Sequence, residues 1–189
     1  SPEKIERDDL HLDDNLSAIA SREKLPADKR NDDPLVFSSH PDFLTFPPEG
    51  PLRQISIAQM RLLKERAQYK PLHGARRVFL IDQADRANEQ AANSLLKILE
   101  EPPDFATIFL LTDNPSALLP TIRSGCMHLR LSPVATSEVE EYLAKMRPEL
   151  KPKERTLIAH VCGGGLGRAR SFDLAAYVAA RQDALTAAR

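Results

Sequence analysis

Cysteine, glycine and long apolar runs are all scarce in this sequence, and each scarcity excludes something. Two cysteines, Cys126 and Cys162, occur in 189 residues. They are too few for a disulfide framework and are not spaced as a Cys-x-x-Cys metal site, so no metal site is expected. Apolar runs such as residues 78–81 and 108–111 fall far short of the roughly 20 residues a membrane-spanning helix needs. The start, Ser-Pro-Glu-Lys-Ile-Glu-Arg, has no apolar core followed by a small-residue cleavage site, so no secretory signal is expected. Together these features point to a soluble, cytoplasmic protein with no membrane partner. None of the seven glycines is followed by lysine. The phosphate cradle Gly-x-x-x-x-Gly-Lys-[Ser/Thr] is therefore missing, and a triphosphate has no evident seat in this chain. Gly163-Gly-Gly-Leu-Gly167 ahead of Arg168 reads as a loop between helices, because no strand precedes it.

The net charge of −1 hides an asymmetry. Residues 1–50 carry 12 acidic and 6 basic side chains, a net of −6. Residues 51–189 carry 15 acidic and 20 basic, a net of +5. Residues 1–34 read as an acidic, flexible arm, because so few apolar side chains bury too little surface to offset the entropy of ordering.

Order is expected from about Leu35. Asp42-Phe-Leu-Thr-Phe46 has strand composition and is followed by the turn residues Pro47-Pro-Glu-Gly50. Ile57, Met60, Leu63 and Ala67 recur at helical spacing and form a core face. Residues 78–81, 107–111 and 127–131 read as strands of the buried, parallel type. Between them, 85–101 and 116–122 read as helices, the first stopped by Pro102-Pro103. Strand, helix, strand, short helix, strand is the order of an α/β domain with a parallel sheet and crossover helices. Beyond Pro133 only helical patterns remain, at 137–146, 154–161 and 168–185. The expected division is thus an arm at 1–34, an α/β domain at 35–133, and a small three-helix domain at 134–189.

Chemistry would sit at strand ends. Asp82 follows a buried strand, where ligands of open α/β sheets bind. In nucleoside triphosphatases such a carboxylate holds magnesium, and a following glutamate orients the attacking water. Here the next residue is Gln83, which is neutral and cannot act as a base, and Asp85 comes too late for that slot. Capping of the next turn by Asp82 is an equal reading on this strand alone. Other clusters are bland. Glu100-Glu101 is a solvated helix end, His160 and Cys162 are ordinary packing in the helical domain, and Arg76-Arg77 is an exposed basic pair.

Three stretches carry a resemblance: Asp82-Gln-Ala-Asp85, Ala91-Ala-Asn-Ser-Leu-Leu-Lys-Ile-Leu-Glu-Glu-Pro-Pro103, and Thr121-Ile-Arg-Ser-Gly-Cys126. His40-Pro-Asp-Phe and Arg76-Arg-Val-Phe-Leu-Ile-Asp82 extend it. They resemble the AAA+ subunits of the bacterial DNA polymerase III clamp loader, most closely its delta prime group, over roughly residues 39–175. The resemblance implies an internal portion of a longer subunit, without the front of the ATPase domain and without a collar domain. It implies a non-hydrolysing role in loading the sliding clamp on primed DNA, with tau/gamma and delta subunits as partners. ATP and magnesium would lie in those neighbours, and zinc only in an N-terminal part outside this chain. Asp82, Gln83 and Asp85 would be a degenerate Walker B region, with Thr112 and Asn114 near the sensor position. The family's Ser-Arg-Cys triplet supplies an arginine finger to a neighbour; here it reads Ser124-Gly125-Cys126, with Arg123 as the other guanidinium nearby. In the lid, Gly167 falls where motor subunits place a nucleotide-sensing arginine, and Arg168 would face about 100° away. The alternative implied is a fragment of the ATP-hydrolysing tau/gamma subunit. A free-standing domain binding a small ligand at Asp82 would leave the 91–103 run unexplained.

Overall fold

The computed structural model describes residues 7–187, which form two compact units, one ending at Met127 and the other starting at His128. The first unit is built on a four-stranded sheet in the order β1-β2-β3-β4. Its strands are β1 (Phe37–His40), β2 (Phe43–Phe46), β3 (Arg77–Ile81) and β4 (Ala106–Leu110). β1 and β2 are antiparallel, joined by Pro41-Asp42, whereas β2, β3 and β4 are parallel, with Phe46 opposite Ile81 and Ile81 opposite Leu110.

Two crossover helices serve the parallel strands, α3 (Ile57–Ala67) and α4 (Glu89–Glu100). Each starts at a side-chain cap. The Ser56 hydroxyl accepts from Gln59 N while Gln59 Oε1 accepts from Ser56 N, and Asn88 Oδ1 accepts from Ala91 N at 2.8 Å. Such caps satisfy amides that the first turn leaves without partners. Met60, Leu63 and Ala67 from α3 and Ala91, Leu95 and Ile98 from α4 meet Leu44, Phe46, Phe79 and Ile81 of the sheet in one core.

Composition predicts a flexible arm over 1–34, but the described part of it holds two helices, α1 (Asp13–Arg22) and α2 (Ala27–Asp32). A few polar anchors order them where apolar area is small. Arg22 pairs with Glu49 at 3.1 Å, both side chains being buried, and Asp8 accepts from the Ser39 amide and hydroxyl. Residues 1–6 lie outside the described residues.

Residues 127–131 form no strand, contrary to expectation. Met127, Leu129 and Leu131 are 91%, 77% and 90% exposed. Their alternation has the period of a strand, but a strand exists only when a neighbour takes its backbone groups. The sheet of the first unit therefore ends at β4, and the units part at Met127 rather than near Pro133. A short 3-10 turn at Pro115–Ala117 and α5 (Pro120–Ser124) replace the single helix expected at 116–122.

The second unit packs α6 (Thr136–Met146), α7 (Pro152–Cys162) and α8 (Leu166–Arg170) around Val139, Leu143, Ile158, Cys162 and Ala169. The third expected helix, 168–185, is two elements, α8 and α9 (Leu174–Ala187). The break falls where Asp173 Oδ1 accepts from Ala176 N at 2.9 Å and starts a new helix. Gly164 holds this unit's entrance. Its φ is +81°, its carbonyl accepts from Val134 N at 3.2 Å, and a Cβ there would lie 2.6 Å from Pro133 Cβ.

Candidate functional site at the carboxyl ends of the parallel strands

β3 and β4 deliver Asp82 and Thr112 to the same end of the sheet, because their registers match residue for residue. Backbone bonds hold that end closed: Asp82 N donates to Phe46 O at 3.0 Å, Leu111 N to Ile81 O at 2.9 Å, and Ala84 N to Leu111 O at 2.8 Å. Between Asp82 and the 3-10 turn Ala84–Arg86, Gln83 adopts the left-handed conformation, with φ 48° and ψ 53°. That conformation costs a non-glycine residue about 1–2 kcal/mol. It brings the Gln83 carboxamide back onto the strand end, where Nε2 donates to Asp82 Oδ2 at 3.2 Å. Asp85 faces across to β4 and accepts from Thr112 Oγ1 at 2.6 Å. Thr112 Oγ1 in turn accepts from Asn114 N at 3.0 Å, and Asn114 Oδ1 accepts from the Ser116 hydroxyl at 2.7 Å.

Five residues singled out from sequence thus fall into two hydrogen-bonded sets at one end of the sheet, Asp82 with Gln83 and Asp85 with Thr112 and Asn114, and the second set spans two loops. Chemically these sets can position groups. The residue that follows the strand-end carboxylate is an amide, which has no lone pair basic enough to take a proton from water.

The stretch 123–126 occupies the end of α5. Gly125 is right-handed, at φ −84°, and donates to Thr121 O at 3.2 Å, while the Ser124 hydroxyl donates to the same carbonyl at 3.1 Å. Cys126 is half-buried, and that burial pushes its thiol pKa up. In the second unit, Gly167 lies in α8 with open space where a Cβ would stand, and Arg168 next to it is exposed. His160 Nδ1 sits 2.8 Å from Thr156 O, one turn back on its own helix. Cys162 is buried in the core, and burial raises its pKa against the opposing charge of Arg168. Arg76 is exposed and donates to Asp104 O, but Arg77 is not half of a surface pair. It is buried and donates to Arg66 O, Tyr69 O and Pro41 O.

Two hubs escaped sequence reading. Asp42 is buried at the far end of β2 and accepts from Leu72 N, His73 N and Gly74 N at 2.7, 2.8 and 3.1 Å. Glu49 is buried after β2 and accepts from Arg22 Nε, Leu35 N and the Ser56 hydroxyl at 3.2, 3.2 and 3.0 Å. The capping-box spacing Ser56-x-x-Gln59 is the sequence signal that could have pointed to the second.

A mostly parallel sheet with its polar cluster at the strand ends, followed by a small helical unit, defines the AAA+ class of α/β module. Residues 31–135 match the family model described as DNA polymerase III, delta subunit. The chain is 35% identical over 115 residues to DNA polymerase III subunit delta′ of Pseudomonas aeruginosa, covering 61% of this chain and 35% of that protein. It is 33% identical over 132 residues to the delta′ subunit of Bacillus subtilis strain 168, covering 70% of this chain and 39% of the relative. A DNA polymerase III gamma subunit-related protein of Thermotoga maritima is similar in structure, with a TM-score of 0.50 and 32% identity. That match covers 66% of this chain and 43% of the other. The chain belongs to the DNA polymerase III delta prime subunit family of clamp-loader proteins, and it spans somewhat over a third of the length of these curated relatives.

Proposed function

We propose that this chain is the central portion of a clamp-loader subunit that braces its complex and does not itself hydrolyse ATP. In the complex it would help place the sliding clamp on primed DNA. The observation that carries this reading is Gln83, whose carboxamide rests on Asp82 where hydrolysing subunits are expected to hold a glutamate. Asp85 does not replace that glutamate, since it is spent on Thr112. Gly125 and Gly167 add to the reading, for neither offers a guanidinium to a nucleotide. The expected neighbours are tau/gamma and delta subunits, with ATP and magnesium held in the neighbours' own sites.

The test is nucleotide binding and magnesium-dependent turnover by the full-length parent, alone and in the assembled complex. The parent alone is expected to show no turnover. Tight ATP binding with steady turnover by the isolated subunit would overturn the reading in favour of a tau/gamma motor subunit, the alternative that similarity to a gamma-related protein supports. Gly125→Arg probes the interface. A Cβ there would lie 3.5 Å from Thr121 O, an ordinary contact, so the substitution fits the fold. ATPase of the assembled complex is expected to rise, and an unchanged rate would mean that residue 125 does not face a neighbour's nucleotide.

A further inference from the structure

We propose that residues 8–33 form a strap that closes over the carboxyl-end rim of β2 and opens as a unit while the α/β core stays folded. The strap rests on four side chains. Asp8 holds the Ser39 amide and hydroxyl, Ile19 is the strap's single buried hydrophobic residue, Arg22 grips Glu49, and Arg30 lies over Gly50. Arg22 also donates to Arg30 O and Asp33 O, and Arg30 to Leu25 O, so α1, α2 and their connection are tied into one piece. The α/β core, in contrast, takes no side chain from the strap. Its first buried member is Leu44, its first partly buried one Val36, and Ile19 is not among them. A segment held by a few polar contacts and one apolar side chain, outside the main core, opens at a small fraction of the global unfolding free energy.

What the strap covers makes opening consequential. Glu49 and Gly50, the residues that Arg22 and Arg30 reach, are buried, and they follow β2 at the end of a parallel sheet where ligands bind. Arg22 and Arg30 are the strap side chains that lie over this rim. The family match begins at residue 31, so α1 and most of α2 precede the matched part. The strap therefore controls access to a rim of the shared fold.

Hydrogen exchange on the full chain tests this, comparing wild type with Arg22→Ala. Amides of residues 13–32 and rim amides 49–54 are expected to exchange about ten-fold faster or more, as loss of a buried charged hydrogen bond implies. Amides of β3 and α4 are expected to stay within about two-fold of wild type. Ile19→Ser repeats the test without stranding the Glu49 carboxylate, should Arg22→Ala fail to fold. Unchanged strap exchange, a strap that opens without the rim, or strap and β3 rising together would each overturn the proposal.

Discussion

Asp42 shows what a single carboxylate does here. Burial alone would raise its pKa. Three backbone N–H donors from residues 72–74 and the nearby charge of Arg77, whose Nη2 lies 3.8 Å away, outweigh that and hold it below the ordinary 3.8. A carboxyl depressed in the folded state contributes its full stability above the unfolded value. It loses that contribution as pH falls through the folded one, here in the window below 3.8. Asp42→Asn keeps the shape but weakens three bonds to a charge and leaves Arg77 without its anion. Denaturant melts at pH 7 are expected to show a loss of about 2 kcal/mol or more. As pH falls below 3.8 the gap between variant and wild type should narrow. Little of this was legible beforehand, because a carboxylate anchoring a loop about 30 residues later leaves no local pattern. Gln83 was legible as a chemical substitution, while its left-handed backbone was not.

At the scale of elements, periodicity located α3, α4, β2, β3 and β4 to within a few residues, since each has a buried face with its own repeat. α4 is the clearest case, with Ala91, Ala92, Leu95 and Ile98 buried on one side and Asn88 closing its first turn. Asn88→Ala removes that cap and is expected to cost about 1 kcal/mol in a thermal or urea melt. Asn88→Asp should retain most of it. Sequence missed β1, whose Phe37-Ser-Ser-His40 is half-buried and paired irregularly at a sheet edge. It also missed that α1 and α2 dock, because their order comes from polar anchors rather than an apolar face. The opposite error came at 127–131, where a strand pattern has no strand beside it. The candidate site was legible as residue types at Asp82, Gln83, Asp85 and Thr112. The bond from Thr112 to Asp85 depends on the lateral register of β3 against β4, which only the folded sheet sets.

Across the whole molecule, two separate cores imply two separable stabilities. Leu143 is fully buried among α6, α7 and α8. Leu143→Ala should destabilise the second unit by about 2–5 kcal/mol. Exchange protection in β3 is expected to remain at the wild-type level, and a matching loss there would mean the units unfold as one. The first unit's sheet ends at β4 on one side, where Phe109 is 43% exposed. A flat parallel edge with free amides and carbonyls is a template for any extended chain. The exposed apolar row Met127, Leu129 and Leu131, with His128 and Arg130 between, has the alternation to pair with such an edge. Held at high concentration as an isolated piece, many copies would offer both template and guest, and the polypeptide would be lost to aggregation rather than to unfolding. His128 and Arg130 are the basic side chains placed inside that row, where gatekeeper residues oppose such pairing.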